Sequence, residues 1–150
     1  MISKSANRVA GHTDPAVNET IRLNMERNLA YFQNHPELIA KRLAELDREW
    51  DIERMLETGS STLTLAGLVL GITRNRKWLL LSLAVQGFFM QHALEGWCPP
   101  LPVLRRLGFR TQYEIEQERY ALKALRGDFQ QLPESRESRG TSPILEAVRR

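Results

Sequence analysis

The chain has 150 residues, one domain's length, with 26% charged and 42% apolar residues and a formal net charge of +3. Arg and Glu are interspersed rather than segregated by sign, which argues for a solvated surface and against a nucleic-acid partner. A single cysteine, Cys98, excludes an intramolecular disulfide, and the scattered His12, His35 and His92 offer no metal-ligand spacing, so neither a metal nor a cofactor is expected.

The opening "MISKSANRVAGH" lacks the apolar core of a secretory signal, and residues 1–13 read as disordered. "DPAVNETIRLNMERNLAYFQ" reads as a weak helix, with Asp14 as N-cap, Pro15 at the first position and Val17, Ile21 and Phe32 as scattered apolar contacts. Residues 1–35 thus form a disordered segment followed by a weak helix. A charged amphipathic helix is expected over 36–57. Asn34 and Glu37 have capping-box spacing, Pro36 lies in the first turn, and Ile39, Leu43, Leu46 and Trp50 share one face.

Although mean hydropathy over the whole chain is −0.38, residues 58–73 and 78–94 carry no formal charge and flank the basic turn "RNRK". We expect a two-helix transmembrane hairpin over 58–97. Each uncharged run is slightly shorter than the ~18–20 residues that cross a bilayer. Three features favour lipid over a protein core. Trp78 and Trp97 bracket the second run, about 28 Å apart along a helix, as interfacial aromatics would be. Neither run has the polar face that a soluble surface helix needs. Ser60, Thr64, Gly67 and Gly71 form a stripe of small residues, and helices in lipid associate by the close backbone approach that such residues allow.

A turn centred between Asn75 and Arg76 sets Gly67 against Ala84 and Thr64 against Gly87 as the helix-packing contacts. The same register brings Ser60 towards Gln91 and makes Arg54 and Glu95 a possible polar pair. The small-residue stripe could serve the hairpin itself or a dimer. Gln86, Gln91 and His92 are expected near the headgroup zone, bonded to the facing helix.

Residues 98–129 follow as a Cys-Pro loop and an amphipathic helix. Pro99, Pro100 and Pro102 favour extended backbone, and Thr111 with Glu114 gives a second capping box ahead of Ile115, Leu122 and Phe129. From Gln130 the Pro/Ser/Arg/Glu composition reads as a disordered tail, 130–150.

The stretch "GWCPP" followed by "LGFRT" resembles the YgaP-like transmembrane domain of bacterial inner-membrane proteins, over roughly residues 55–111. The matching positions are Gly96, Trp97, Cys98, Pro99, Leu107, Gly108 and Thr111. The resemblance implies a bacterial inner (cytoplasmic) membrane location and a homodimer. The rhodanese domain fused to the hairpin in the namesake architecture has no counterpart here. "CPPLPVLRR" is longer and richer in proline and arginine than the family pattern. An anion-cradling cysteine loop fits poorly. The first arginine after Cys98 is Arg105, seven positions on, and three intervening prolines have no N–H to donate.

The expectation is an all-α membrane helical hairpin flanked by amphipathic helices, with no catalytic residues. It would be a small inner-membrane anchor or scaffold that dimerises, with the lipid bilayer as its partner. The alternatives are a component of small sulfur-anion transport and a soluble bundle whose hairpin is buried in an oligomer. Lys41, Arg42, Arg48, Arg54, Arg105, Arg106 and Arg110 on the terminal side outnumber Arg74, Arg76 and Lys77 in the turn, which places both termini in the cytoplasm.

Overall fold

The computed structural model describes residues 7–130, all-helical among those residues. The expected disorder before residue 7 and the tail beyond Gln130 lie outside the described residues. In chain order the helices are α1 (Arg8–Gly11), α2 (Pro15–Asn34), α3 (Ile39–Leu46), α4 (Ile52–Thr73), α5 (Leu79–Glu95), α6 (Leu101–Arg106) and α7 (Gln112–Arg126). They make two units, residues 7–23 with 50–115 and residues 24–49 with 116–130.

The first unit contains the hairpin. The backbone N–H of Ala16 bonds Asp14 Oδ1 at 2.9 Å, the expected start of α2. Residues 8–11, expected to be disordered, instead form a turn of helix, and Val9 is buried with Ile52, Leu56, Cys98 and Leu101. A lone buried valine in a polar stretch carries no periodicity, so only its packing reveals it.

The expected helix over 36–57 is not one helix. Asn34 ends α2 and its Nδ2 donates to Ala30 O at 3.0 Å, so the Asn34–Glu37 capping box does not form. Pro36–Leu38 is a 3-10 turn, and α3 stops at Leu46. Asp51 then caps α4, its side chain accepting from Arg54 N at 2.7 Å. A short acidic side chain that bonds the backbone N–H three residues on starts a helix better than it continues one. The apolar leg therefore begins at Ile52, six residues before the expected 58, and takes Glu53, Arg54 and Glu57 with it.

Helices α4 and α5 run as an antiparallel pair through a turn in which Asn75 Oδ1 accepts from Lys77 N at 2.9 Å. Helix α4 has 22 residues, about 33 Å, and is long and apolar enough to cross a membrane; it is the one such helix among the described residues. Helix α5 has 17 residues, about 26 Å, short of the ~30 Å of a hydrocarbon core.

The pair is closest where the sequence put its glycines, with different partners from those expected. A Cβ on Gly67 would sit 2.4 Å from Ser82 Oγ and 3.1 Å from Trp78 O, and one on Gly71 would sit 2.5 Å from Leu79 Cδ2. Ser82 Oγ donates to Thr64 O at 3.0 Å, and Gln86 Nε2 to Thr64 Oγ1 at 2.8 Å. Ala84 and Gly87 face away and are exposed; a Cβ on Gly87 would meet nothing within 4 Å. The 3-10 turn Arg76–Trp78 draws α5 back by one to two residues, which turns Ser82 inward in place of Ala84.

The prolines of the Cys-Pro stretch do not lie in extended backbone. Pro100 is the N-cap and Pro102 lies in the first turn of α6, where a missing N–H costs nothing. At α7, Thr111 Oγ1 accepts from Glu114 N at 3.2 Å while Glu114 Oε2 accepts from Thr111 N at 2.8 Å, the expected capping box. Helix α7 ends at Arg126, before Phe129, and is followed by Gly127 in the left-handed region at φ 88°.

In the second unit Ile39, Leu43, Leu46 and Leu122 are buried. The buried Glu118 carboxylate accepts from Arg42 Nε at 2.9 Å and Asn28 Nδ2 at 3.2 Å. Trp50, read as part of the α3 stripe, belongs to the other unit. There it is exposed, with the Arg54 guanidinium 4.6 Å from its ring centre.

The contact at Gly67 gives a direct test. Gly67→Leu should lower hairpin stability by about 1–3 kcal/mol through overpacking against backbone. Gly87→Leu should be neutral or stabilising by up to ~1 kcal/mol as a glycine leaves a helix. Unfolding midpoints in detergent compare the two.

Candidate functional site

Two polar clusters lie in the first unit, both at the end of the hairpin away from the turn. In the first, α5 ends at Gly96, whose φ is 82° and whose N–H bonds His92 O at 2.7 Å. A Cβ there would lie 2.7 Å from the Arg8 carbonyl carbon, so glycine is needed both for the turn and for the approach of α1. The chain then drops Cys98 into the core beside Val9, Ile52, Leu56 and Leu101, with Trp97 packed against them. Trp97 is therefore partly a core residue and does not form a free interfacial belt with the exposed Trp78.

His92, only 1% exposed, faces α4 from the last turn of α5, and its Nε2 lies 3.0 Å from Glu53 Oε2. The other oxygen, Glu53 Oε1, accepts from Arg8 Nη2 at 3.0 Å. The remaining ring nitrogen, Nδ1, is buried with no hydrogen-bond partner. A buried polar atom left unpaired is uncommon and calls for a reason.

This arrangement corrects the expected Arg54–Glu95 pair. Arg54 lies over Trp50, and exposed Glu95 accepts from Gln91 Nε2 at 3.4 Å on its own helix. The charged contact between α4 and α5 is Glu53 with His92, one position earlier on α4 and three earlier on α5. Of the small-residue stripe, Gly67, Gly71 and Thr64 contact α5. Ser60 lines a cavity, and its Oγ donates to Glu57 O at 3.2 Å instead of approaching Gln91.

That cavity, about 350 Å³, lies between α4, α5 and the start of α6. Gly59, Leu63, Phe88, Phe89 and Pro99 are among its walls, which are apolar apart from Ser60 and the Cys98 thiol.

The second cluster is built round Arg105, whose side chain is fully buried. Nε donates to Thr13 Oγ1 at 3.1 Å. Nη1 donates to Phe109 O at 3.1 Å and Glu114 Oε2 at 2.7 Å. Nη2 donates to Asn18 Oδ1 at 3.0 Å and Glu114 Oε1 at 2.7 Å. All five N–H donors of the guanidinium are used within the chain, leaving none for an anion. Gly108, with φ 93°, turns the chain between α6 and α7, and Leu107 points outward. Arg110 O accepts Ile52 N at 2.8 Å, tying this segment to the start of α4. Among the described residues no group of His, Cys, Asp and Glu could hold a metal ion.

The sequence drew attention to Cys98, Arg54 and Glu95, but Glu53, Arg8 and the Arg105–Glu114 fork carried no signal of their own. Glu53 was hidden inside a helix assigned to the wrong boundaries. No protein family, curated protein or solved structure matches the chain.

Burial alone would raise the Glu114 carboxyl, but the Arg105 fork and the Thr111 N–H outweigh it, so the group titrates below its ordinary 4.5. A carboxyl lowered in the folded state contributes stability that is complete above its unfolded value and lost as pH falls through the folded one. Stability in detergent should therefore fall on acidification below about pH 4.5. Arg105→Ala should cost about 3–5 kcal/mol at neutral pH, because it strands a buried carboxylate, and thermal unfolding as a function of pH reads both.

Proposed function

We propose that the chain is a small membrane-embedded anchor or scaffold module of bacterial inner membranes, as the YgaP-like resemblance implies. The observation that carries this reading is the outer surface of the hairpin. Leu65, Ile72, Leu80, Leu83, Met90 and Leu94 are each more than 60% exposed, with Ile72 at 83%. A continuous apolar surface of this kind is a liability in water and ordinary in lipid.

The polar groups of the hairpin support the same reading. Thr62 and Thr73 bond the carbonyls of Thr58 and Val69 in their own helix, and Gln86 and Ser82 bond Thr64 across the pair. Few donors are left facing outward, as an apolar solvent requires. The apolar cavity and the contacts of Gln86 with Thr64 and of His92 Nε2 with Glu53 favour an anchor over a conduit for sulfur anions. The small-residue stripe is occupied within the chain, so a homodimer would use other faces.

Alkaline carbonate should leave the protein in the membrane pellet, and detergent should release it. Release by carbonate would favour the soluble bundle instead. With both termini cytoplasmic, a C-terminal reporter should be active only in the cytoplasm, and periplasmic activity would reverse the topology.

A further inference from the structure

Between Glu57 and Glu95 the only formally charged side chains are Arg74, Arg76 and Lys77, all in the turn of the hairpin. All three are exposed, and none has an ion pair or a side-chain hydrogen bond among the described residues. We propose that this turn is a docking surface for anionic phospholipid headgroups, so that the protein selects net-negative lipids over zwitterionic ones. The inference rests on the membrane-anchor reading and adds the lipid class to it.

The hairpin cannot neutralise these cations itself. Glu57 and Glu95, the nearest carboxylates along the two legs, are about 25 Å from the turn at 1.5 Å per helical residue. That is several times the ~8 Å over which charges act through physiological salt. Other cations of the same unit have carboxylates of their own. Arg8 is met by Glu53 at 3.0 Å and Arg105 by Glu114 at 2.7 Å. The counter-charge for the turn must therefore come from outside the chain. A zwitterionic headgroup carries its own ammonium beside its phosphate, so a net-negative headgroup is the better match. An arginine fork can take two phosphate oxygens at once, and a lysine adds a point charge.

The apolar rim of the turn distinguishes a lipid from a soluble polyanion or an acidic protein. Ile72 is 83% exposed two residues before Arg74, and Leu80 is 66% exposed three residues after Lys77. Trp78 lies between them at 45% exposure, an aromatic suited to headgroup depth. Charge thus gives way to apolar surface within three residues on both legs, as phosphate gives way to acyl chain in a bilayer. The turn is also held in shape. Asn75 Oδ1 accepts from Lys77 N at 2.9 Å, and Asn75 O accepts from Trp78 N at 3.0 Å.

The test uses the full chain in detergent with equimolar dioleoyl-phosphatidylglycerol and dioleoyl-phosphatidylcholine, and native mass spectrometry reads the lipids retained. A basic side chain near an anionic surface contributes on the order of five-fold to binding, so phosphatidylglycerol should be favoured by about five-fold or more. Arg74→Gln/Arg76→Gln/Lys77→Gln should bring the ratio below about two-fold. Lys41→Gln/Arg48→Gln/Arg106→Gln removes the same charge from exposed positions outside the turn and should leave the preference in place. Equal retention of the two lipids by the unaltered chain, or an equal loss in both triple variants, would overturn the proposal. Carbonate extraction separates the two failures. A chain that stays in the membrane pellet but shows no lipid preference loses this inference alone, whereas release by carbonate removes the anchor reading and this inference with it.

Discussion

The bidentate contact of Arg105 with Glu114 organises the end of the first unit at which the chain enters and leaves the hairpin. A guanidinium buried without its full set of acceptors would cost several kcal/mol, so the surroundings must supply all five. They do so from four separate stretches: Thr13 before α2, Asn18 within it, the Phe109 carbonyl after α6, and Glu114 in the first turn of α7. Glu114 also closes the capping box with Thr111, so the residue that neutralises Arg105 is fixed by the helix it begins. One residue earlier, Arg110 O holds the first N–H of α4. Loss of the fork would therefore loosen α6, the start of α7 and the base of the hairpin together.

The hairpin follows a different rule. Its two legs approach closely because Gly67 and Gly71 have no Cβ, and Ser82 fills the space opposite with a hydroxyl that bonds Thr64. Close backbone contact and these hydrogen bonds join the two legs where no large side chain fits between them. Polar contacts then increase away from the turn, from Ser82 and Gln86 to the His92–Glu53 contact. Large apolar side chains occupy the outside.

These two constructions meet at Cys98. After the left-handed turn at Gly96, where α1 approaches, the thiol is buried beside Val9, Ile52, Leu56 and Leu101 and at the wall of the apolar cavity. The residues that define the Gly-Trp-Cys-Pro stretch thus have separate structural jobs. Gly96 turns the chain, Trp97 and Cys98 pack in the core, and the prolines start α6. The Arg105 fork engages every N–H of that guanidinium within the chain.

By itself the sequence determined the features that depend on local pattern. Uncharged runs either side of "RNRK" made a hairpin legible, Asp14 with Pro15 and Thr111 with Glu114 marked helix starts, and the glycine spacing marked the face of close approach. Cap chemistry, charge depletion and helical period act over a few residues, so they survive without a fold. Tertiary structure alone decided register and partner choice. A 3-10 turn shifted α5 so that Ser82 rather than Ala84 met Gly67, and Asp51 began a helix where the pattern of apolar residues ran on. Val9 entered the core from a stretch with no period, and Arg105 found acceptors as far as 92 positions away. Such contacts are set by how elements pack, and a small turn or a single cap moves every partner beyond it.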